Sequence, residues 1–236
     1  MNSTRFDVIA EAPEFQWMGQ LSYPHGLELQ KTTEERVRSE LHPGIIYGLE
    51  HESVITLGKR GTLQDLRGAS SGIPVQTVDR GGQATLHHPG QLVIYPILHF
   101  KKWGFQPRTW VEFLLDVTQN TLQNLGVATK SSDGAGLETE RGKIVFLGVR
   151  LHQGVSTHGL SINCCNNLSE FDFIRPCGLE SRPLDSLKKQ GIHLNPKDVF
   201  KVWIEEFGLL TTARDLGITR DVQAKSSLGV VGSAFP

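Results

Sequence analysis

The sequence predicts an α+β fold, one domain in which a sheet is covered by a few helices. Strand-like runs outnumber helical ones. The two kinds do not alternate in the steady rhythm that a doubly wound parallel sheet requires. No internal repeat and no long linker divides the 236 residues, so a single domain over 1–236 is expected. Glycine is abundant, 25 residues, which points to tight turns and close backbone approaches.

Taken in chain order, the first helix is read at 25–41, a stretch rich in Glu, Lys and Gln. Apolar, β-branched runs at 44–49, 53–57, 75–78 and 91–98 read as strands. A helix follows at 109–125, where Thr109 caps it with Glu112 as the return partner of a capping box. Trp110, Leu114 and Val117 share one face, and Gly126 stops it. The segment 129–142 reads as a mobile loop. IVFLGVRL (144–151) and the run at 157–165 form a hairpin with Gly154 near its turn. The last helix, 196–207, starts at Asn195 and Pro196 and ends at Gly208, with Val199, Val202, Trp203 and Phe207 as its apolar stripe. Residues 222–236 are small and irregular and read as a loose tail.

Charge and cysteine content narrow the function. With 24 Lys+Arg against 25 Asp+Glu the net charge is -1, which argues against a nucleic-acid partner. No apolar run is long enough to span a membrane, and the N-terminus lacks a basic-then-apolar signal pattern. The three cysteines, Cys164, Cys165 and Cys177, include no CxxC pair. They read as reduced thiols in a cytoplasmic setting, with no structural metal.

Three segments carry candidate chemistry. DRGGQATLHHPGQLVIYPIL (79–98) sets paired glycines and a histidine ahead of an apolar strand. Such a backbone can approach a ligand closely, and Arg80 could pair with a phosphate or carboxylate; a glycine turn entering a strand explains the same pattern. No GKS or GKT follows, so it is not a nucleotide-phosphate loop. Cys177 lies between Pro176 and Gly178, a turn context in which a thiol beside free N–H groups can be activated. A small buried hydrophobe is the commoner state of a free cysteine. Cys164 and Cys165 lie on a strand run, so their side chains should point to opposite faces. Lys143 opens a strand after a polar loop. Such a lysine is usually solvated, and proton exchange would need desolvation or a neighbouring charge.

Together, YPHGLELQ, GLEHESVITLGKRG, RGGQATLHHPGQLVIYPIL and GKIVFLGVRLHQGVSTHGLSINCCNNLSEFDFIRPCG resemble, in order and over residues 20–190, the octanoyltransferases of lipoate biosynthesis. The resemblance implies the fold of biotin and lipoate protein ligase catalytic domains, a mixed, mostly antiparallel sheet flanked by helices, with a family-like core over 20–215. It implies that Cys177 carries the acyl group as a thioester and that Lys143 is its acid/base partner. It also implies an acyl pocket of Arg80, Gly81, Gly82, Gln83, Ala84, Thr85, Leu86, His87, Phe146, Leu147, Gly148, Gly159, Leu160 and Ser161. The donor would be octanoyl-acyl carrier protein. The acceptors would be lipoyl domains of 2-oxoacid dehydrogenase E2 subunits and the glycine cleavage H protein. No cofactor or metal is implied. The chain departs from the family pattern at Leu86, at His88 and in the loop 133–139, which lacks an aromatic. Other readings are acyl transfer between two lipoyl-domain proteins, an ATP-dependent lipoate ligase on the same fold, and a non-catalytic binding module.

Overall fold

The computed structural model describes residues 12–67, 72–132, 136–175 and 183–216. Cys177 and the expected tail at 222–236 lie outside them. The chain opens with strand β1 (Glu14–Leu21), helix α1 (Tyr23–Arg38), and strands β2 (Gly44–His51) and β3 (Val54–Leu57). Strands β4 (Val75–Thr77), β5 (Ala84–His87) and β6 (Gln91–Leu98) follow, then helix α2 (Pro107–Asn124). Strands β7 (Lys130–Ser131), β8 (Gly136–Thr139), β9 (Gly142–His152) and β10 (Val155–Asn163) lead to helix α3 (Pro196–Asp215).

Seven strands form the main sheet in the order β1-β2-β6-β10-β9-β8-β7. Only β1 and β2 run parallel. β4, β3 and β5 make a separate three-stranded sheet, with β3 and β4 parallel. The α+β class holds, but the run at 75–78 does not join the strands at 91–98, 144–151 and 157–165 in one sheet. Its three paired residues reach β3 alone.

Alternation along the central strands decides what each face covers. Ile46, Leu92 and Ile94 face a core completed by Trp110, Leu114 and Val117 of α2 and Val199, Trp203 and Phe207 of α3. Ile45, Tyr47, Leu49, Val93, Tyr95 and Ile97 face the other way, toward Val37 of α1. With both faces covered, every residue of β6 is buried. Trp203 is fully buried, and its indole N–H donates to Thr118 Oγ1 at 3.0 Å, which joins α3 to α2.

Four local readings change. α2 begins at Pro107, and the Gln106 N–H donates to Thr109 Oγ1 at 3.0 Å, so Thr109 is the return partner of the box and Gln106 the cap. α3 runs through Gly208 to Asp215. A helical glycine costs about 1 kcal/mol against alanine, which packing beyond it outweighs: Ala213 is buried, and the Arg214 guanidinium sits 4.2 Å over the Phe105 ring. The loop at 129–142 contains β7 and β8, which extend the main sheet. β1 and β5 carry no strand signal strong enough to predict. The β9–β10 hairpin forms as expected: His152 pairs with Val155, and Gln153 and Gly154 both take positive φ, the turn whose twist matches the strands.

Candidate active site

A cavity of about 500 Å³ lies between the main sheet, the N-terminal end of α1 and the 80–87 segment. That is an ordinary size for a small-molecule site. Its lining includes Arg80, Gly81, Gly82, Gln83, Ala84, Thr85 and His87 from the glycine-rich segment. Phe146, Leu147 and Gly148 of β9 and Gly159, Leu160 and Ser161 of β10 complete that set, with Lys143 at the start of β9. Leu86 stands apart. On a strand, neighbouring side chains point to opposite faces, and Leu86 packs into the cluster of Ile55, Leu57 and Phe171.

The paired β9 and β10 bring these distant segments together. Ser161 lies opposite Phe146, and Gly159 opposite Gly148. His158 takes a left-handed φ of 54° inside β10, and its N–H donates to Gln30 Oε1 of α1 at 2.7 Å. The strand bends there so closely against β6 that a Cβ on Gly159 would collide with the Ile94 carbonyl oxygen. Strand approach alone therefore demands glycine at 159.

Lys143 is 1% exposed, which excludes the solvated strand-edge lysine. Its N–H donates to Pro183 O at 2.9 Å, and its carbonyl accepts from Asp185 N–H at 3.0 Å. Its Nζ lies 5.1 Å from the centre of the Phe146 ring, within cation–π range. Phe146 in turn stacks on Phe171 at 5.5 Å. Arg80, also buried, turns its guanidinium back onto its own loop and β3. It donates to Thr56 Oγ1, Thr56 O, Gln83 O and Gly81 O at 2.8–3.1 Å. This arginine fixes the shape of the glycine wall. Thr85 Oγ1 and Ser161 Oγ are buried without a hydrogen-bond partner among the described residues.

The lining also holds His158, and Tyr23, Arg60, Val93 and Tyr95, which the sequence did not assign. Tyr23 stood in the YPHGLELQ match and Tyr95 in the apolar run after the glycines, so a signal existed for both. β10 ends at Asn163, so Cys164 and Cys165 lie in a bend beyond the strand and not on it; Cys164 is buried and Cys165 exposed. Burial pushes the Cys164 thiol up, and partial burial with nearby Glu50 raises that of Cys165. Neither is an activated thiolate. Cys177 lies outside the described residues. Its described flanks adjoin the cavity wall: Ile174 packs with Phe146, and Leu184 pairs with Lys143. Among the described residues no group of three or more His, Cys, Asp or Glu is placed to hold a metal ion. No helix among them is long and apolar enough to cross a membrane.

Residues 22–208 match the family model of the lipoyl protein ligase A/B catalytic domain. The chain belongs to this family. Among curated relatives, the octanoyltransferase of Syntrophobacter fumaroxidans is 33% identical over 178 residues, 73% of this chain and 78% of that protein. The octanoyltransferase of Pseudarthrobacter chlorophenolicus is 33% identical over 86% of this chain and 91% of its own length. Family and relatives together make the chain an acyltransferase. Among solved structures, LipL1 of P. falciparum in complex with lipoate superposes with a TM-score of 0.69 at 13% identity, covering 86% of this chain and 63% of that one. The biotin protein ligase of Aquifex aeolicus in complex with biotin and ATP gives a TM-score of 0.54 at 12% identity, over 87% of this chain and 73% of that one. At such identities the likeness is one of fold. In this chain the glycine segment and the β9–β10 hairpin wall the cavity.

Two imidazoles beside the cavity give the family member a pH-dependent stability. Burial drives the His51 ring down to about 4, against a raising hydrogen bond to Leu21, and burial with nearby His51 drives His87 down to about 3. Both folded values lie below the ordinary value of about 6.5, so on acidification the unfolded chain takes up protons first. Their stabilisation is complete above pH ~6.5 and is lost as pH falls toward the folded values. At pH 5.5 the loss is on the order of 1 kcal/mol for each ring. Burial shifts His88 and His158 in the same direction. Urea unfolding at pH 7.0 and 5.5 should therefore differ by about 3 kcal/mol or more. Equal stability at both would mean that these rings are not held neutral.

Proposed function

We propose that the chain transfers an octanoyl group from octanoyl-acyl carrier protein to one lysine of a lipoyl domain, through a thioester on Cys177. The observation that carries this reading is a buried lysine, Lys143, at one end of a cavity walled by the glycine segment, β9 and β10, in a chain whose relatives are octanoyltransferases. The Cys177 thiolate attacks the donor carbonyl. The carrier leaves as its thiol, so one thioester replaces another with little change in free energy. The acceptor lysine amine then attacks, an amide forms, and the Cys177 thiol is regenerated. Amide formation draws the sequence forward, and no ATP is consumed. Cysteine suits the role as nucleophile and leaving group. Lys143 would pair with the thiolate as a cation and, when neutral, accept a proton from the attacking amine.

The acyl chain would lie against Gly81, Gly82, Gly148 and Gly159, where backbone forms much of the wall. The unpaired hydroxyls of Ser161 and Thr85 offer polar contacts to the thioester end. The acceptors would be lipoyl domains of 2-oxoacid dehydrogenase E2 subunits and the glycine cleavage H protein, in a reducing, cytoplasmic compartment. The test mixes the full chain with octanoyl-acyl carrier protein and measures intact mass. An octanoyl adduct on Cys177 that hydroxylamine removes is the expected result. Octanoyl transfer to a lipoyl domain with no such adduct, or transfer only with ATP, would overturn the reading.

A further inference from the structure

We infer that Asn163 is a positioning residue for Lys143, acting through a bulge in β9 and the segment 183–185, a reading that deepens the proposed transfer and rests on it. Phe146 lies opposite Ser161 and lines the cavity. Strict alternation along β9 would turn Lys143, three residues back, toward α2 and α3. Lys143 lines the cavity instead, because β9 carries an extra residue at that point. Leu137 of β8 pairs with Val145 and Glu138 with Lys143, so one step on β8 spans two on β9. Ile144 is the inserted residue, and Ile144 and Val145 both pack, fully buried, in the core beneath α2 and α3. A bulge beside a functional site re-aims a side chain in this way.

A bulge also disrupts the ladder, so its backbone groups need other partners. Residues 183–185 supply them. The Lys143 N–H donates to Pro183 O at 2.9 Å, and the Asp185 N–H donates to Lys143 O at 3.0 Å. The Lys143 stem lies against Gly136, where a Cβ would meet Lys143 Cε at 2.9 Å.

Asn163 anchors this clamp to the centre of the sheet. It pairs with Gln91 of β6 and is fully buried. Its Nδ2 donates to the Asp185 carbonyl oxygen at 3.1 Å. A carbonyl oxygen can only accept, which fixes the orientation of the amide. Its Oδ1 accepts from Gln91 Nε2 at 3.0 Å and from Asn166 Nδ2 at 3.1 Å. Its backbone carbonyl accepts from the Leu187 N–H at 3.0 Å. The chain of contacts runs from β6 through Asn163 and Asp185 to the backbone of Lys143. An apolar side chain at 163 would break it and leave the Asp185 carbonyl and two side-chain amides short of a partner.

The experiment uses the full chain with octanoyl-acyl carrier protein and compares Asn163→Ala and Asn163→Ser, each alone and combined with Lys143→Ala. Serine pairs with one of the three partners at most, and it carries the test if the alanine variant does not fold in a thermal melt. Loading in single turnovers at saturating donor should fall about tenfold or more, since a small displacement of a reacting group is costly. The donor concentration for half-maximal loading should stay unchanged, because Asn163 does not line the cavity. On the Lys143→Ala background the same changes should cost little further, because the effect passes through Lys143. Acetic anhydride labelling, read by peptide mass, should modify Lys143 several-fold faster in the Asn163 variants than in the wild type. An equal fold-loss of loading in both backgrounds, or unchanged loading and labelling in a folded variant, would overturn the positioning role. A Lys143→Ala chain that loads at the wild-type rate, or a wild type that forms no adduct, would overturn the transfer reading instead. The labelling rate of Lys143 then decides alone, and an unchanged rate sinks the inference.

Discussion

Cys177→Ala is expected to abolish both the acyl-enzyme and turnover, while Cys164→Ala and Cys165→Ala keep substantial activity. The first change removes the group that would carry the acyl chain. Turnover should fall by three or more orders of magnitude, roughly the scale seen when a covalent nucleophile is lost. The other two thiols are poor candidates on physical grounds. Cys164 sits in the main core with its thiol pushed up by burial, and the Cys165 thiol is raised as well. Cys164→Ala should cost about 1 kcal/mol of stability through the space it leaves, with little effect on rate. Intact-mass spectra and steady-state assays of the three variants decide the matter. Full activity in Cys177→Ala would rule out covalent catalysis through this residue.

Lys143→Ala and Lys143→Arg should separate the two half-reactions. On the proposed mechanism alanine removes the cation that would pair with the thiol, whose ionisation would then drift back toward the ordinary value of about 8.5. Loading and discharge should then both slow, by about 10²-fold or more. Arginine keeps a cation but cannot release a proton in the working range. It should load slowly and discharge to the acceptor lysine far worse. The head group must also fit a site where the lysine is 1% exposed against the Phe146 ring, so a thermal melt accompanies each rate. Loading and discharge are measured separately in single turnovers. Small, equal effects on both steps in both variants would remove Lys143 from the mechanism.

Much of the fold was legible because it rests on strong local patterns. The β9–β10 hairpin was visible in two apolar runs joined at Gly154, and α3 in its Asn195 cap and Val199–Trp203–Phe207 stripe. α1 was legible only weakly, for a reason the structure supplies. The residues it buries are Tyr23, Gly26, Gln30, Thr33 and Val37, so polar and small side chains occupy the face where an apolar stripe would be sought. Thr33 bonds the Tyr47 hydroxyl at 2.9 Å, and Gln30 holds the His158 backbone. β5 hid among glycines. The end of α3 was misjudged because Gly208 is a local signal and the packing of Ala213 and Arg214 is not.

By itself the sequence determined the α+β class, the order of the main elements and the glycine-rich and hairpin segments that line one cavity. Each depends on near-neighbour spacing or on an ordered set of motifs. Tertiary structure alone decided that β4 leaves the main sheet, that Leu86 turns away from the cavity while Thr85 and His87 face it, and that Arg80 turns its guanidinium onto β3 and its own loop. It alone buried Lys143 and brought Tyr23, His51 and Tyr95 together across three elements. The physical reason is common to all of these. Burial and hydrogen-bond partners belong to pairs of residues far apart in the chain, and no window of local sequence records which partner a side chain will meet.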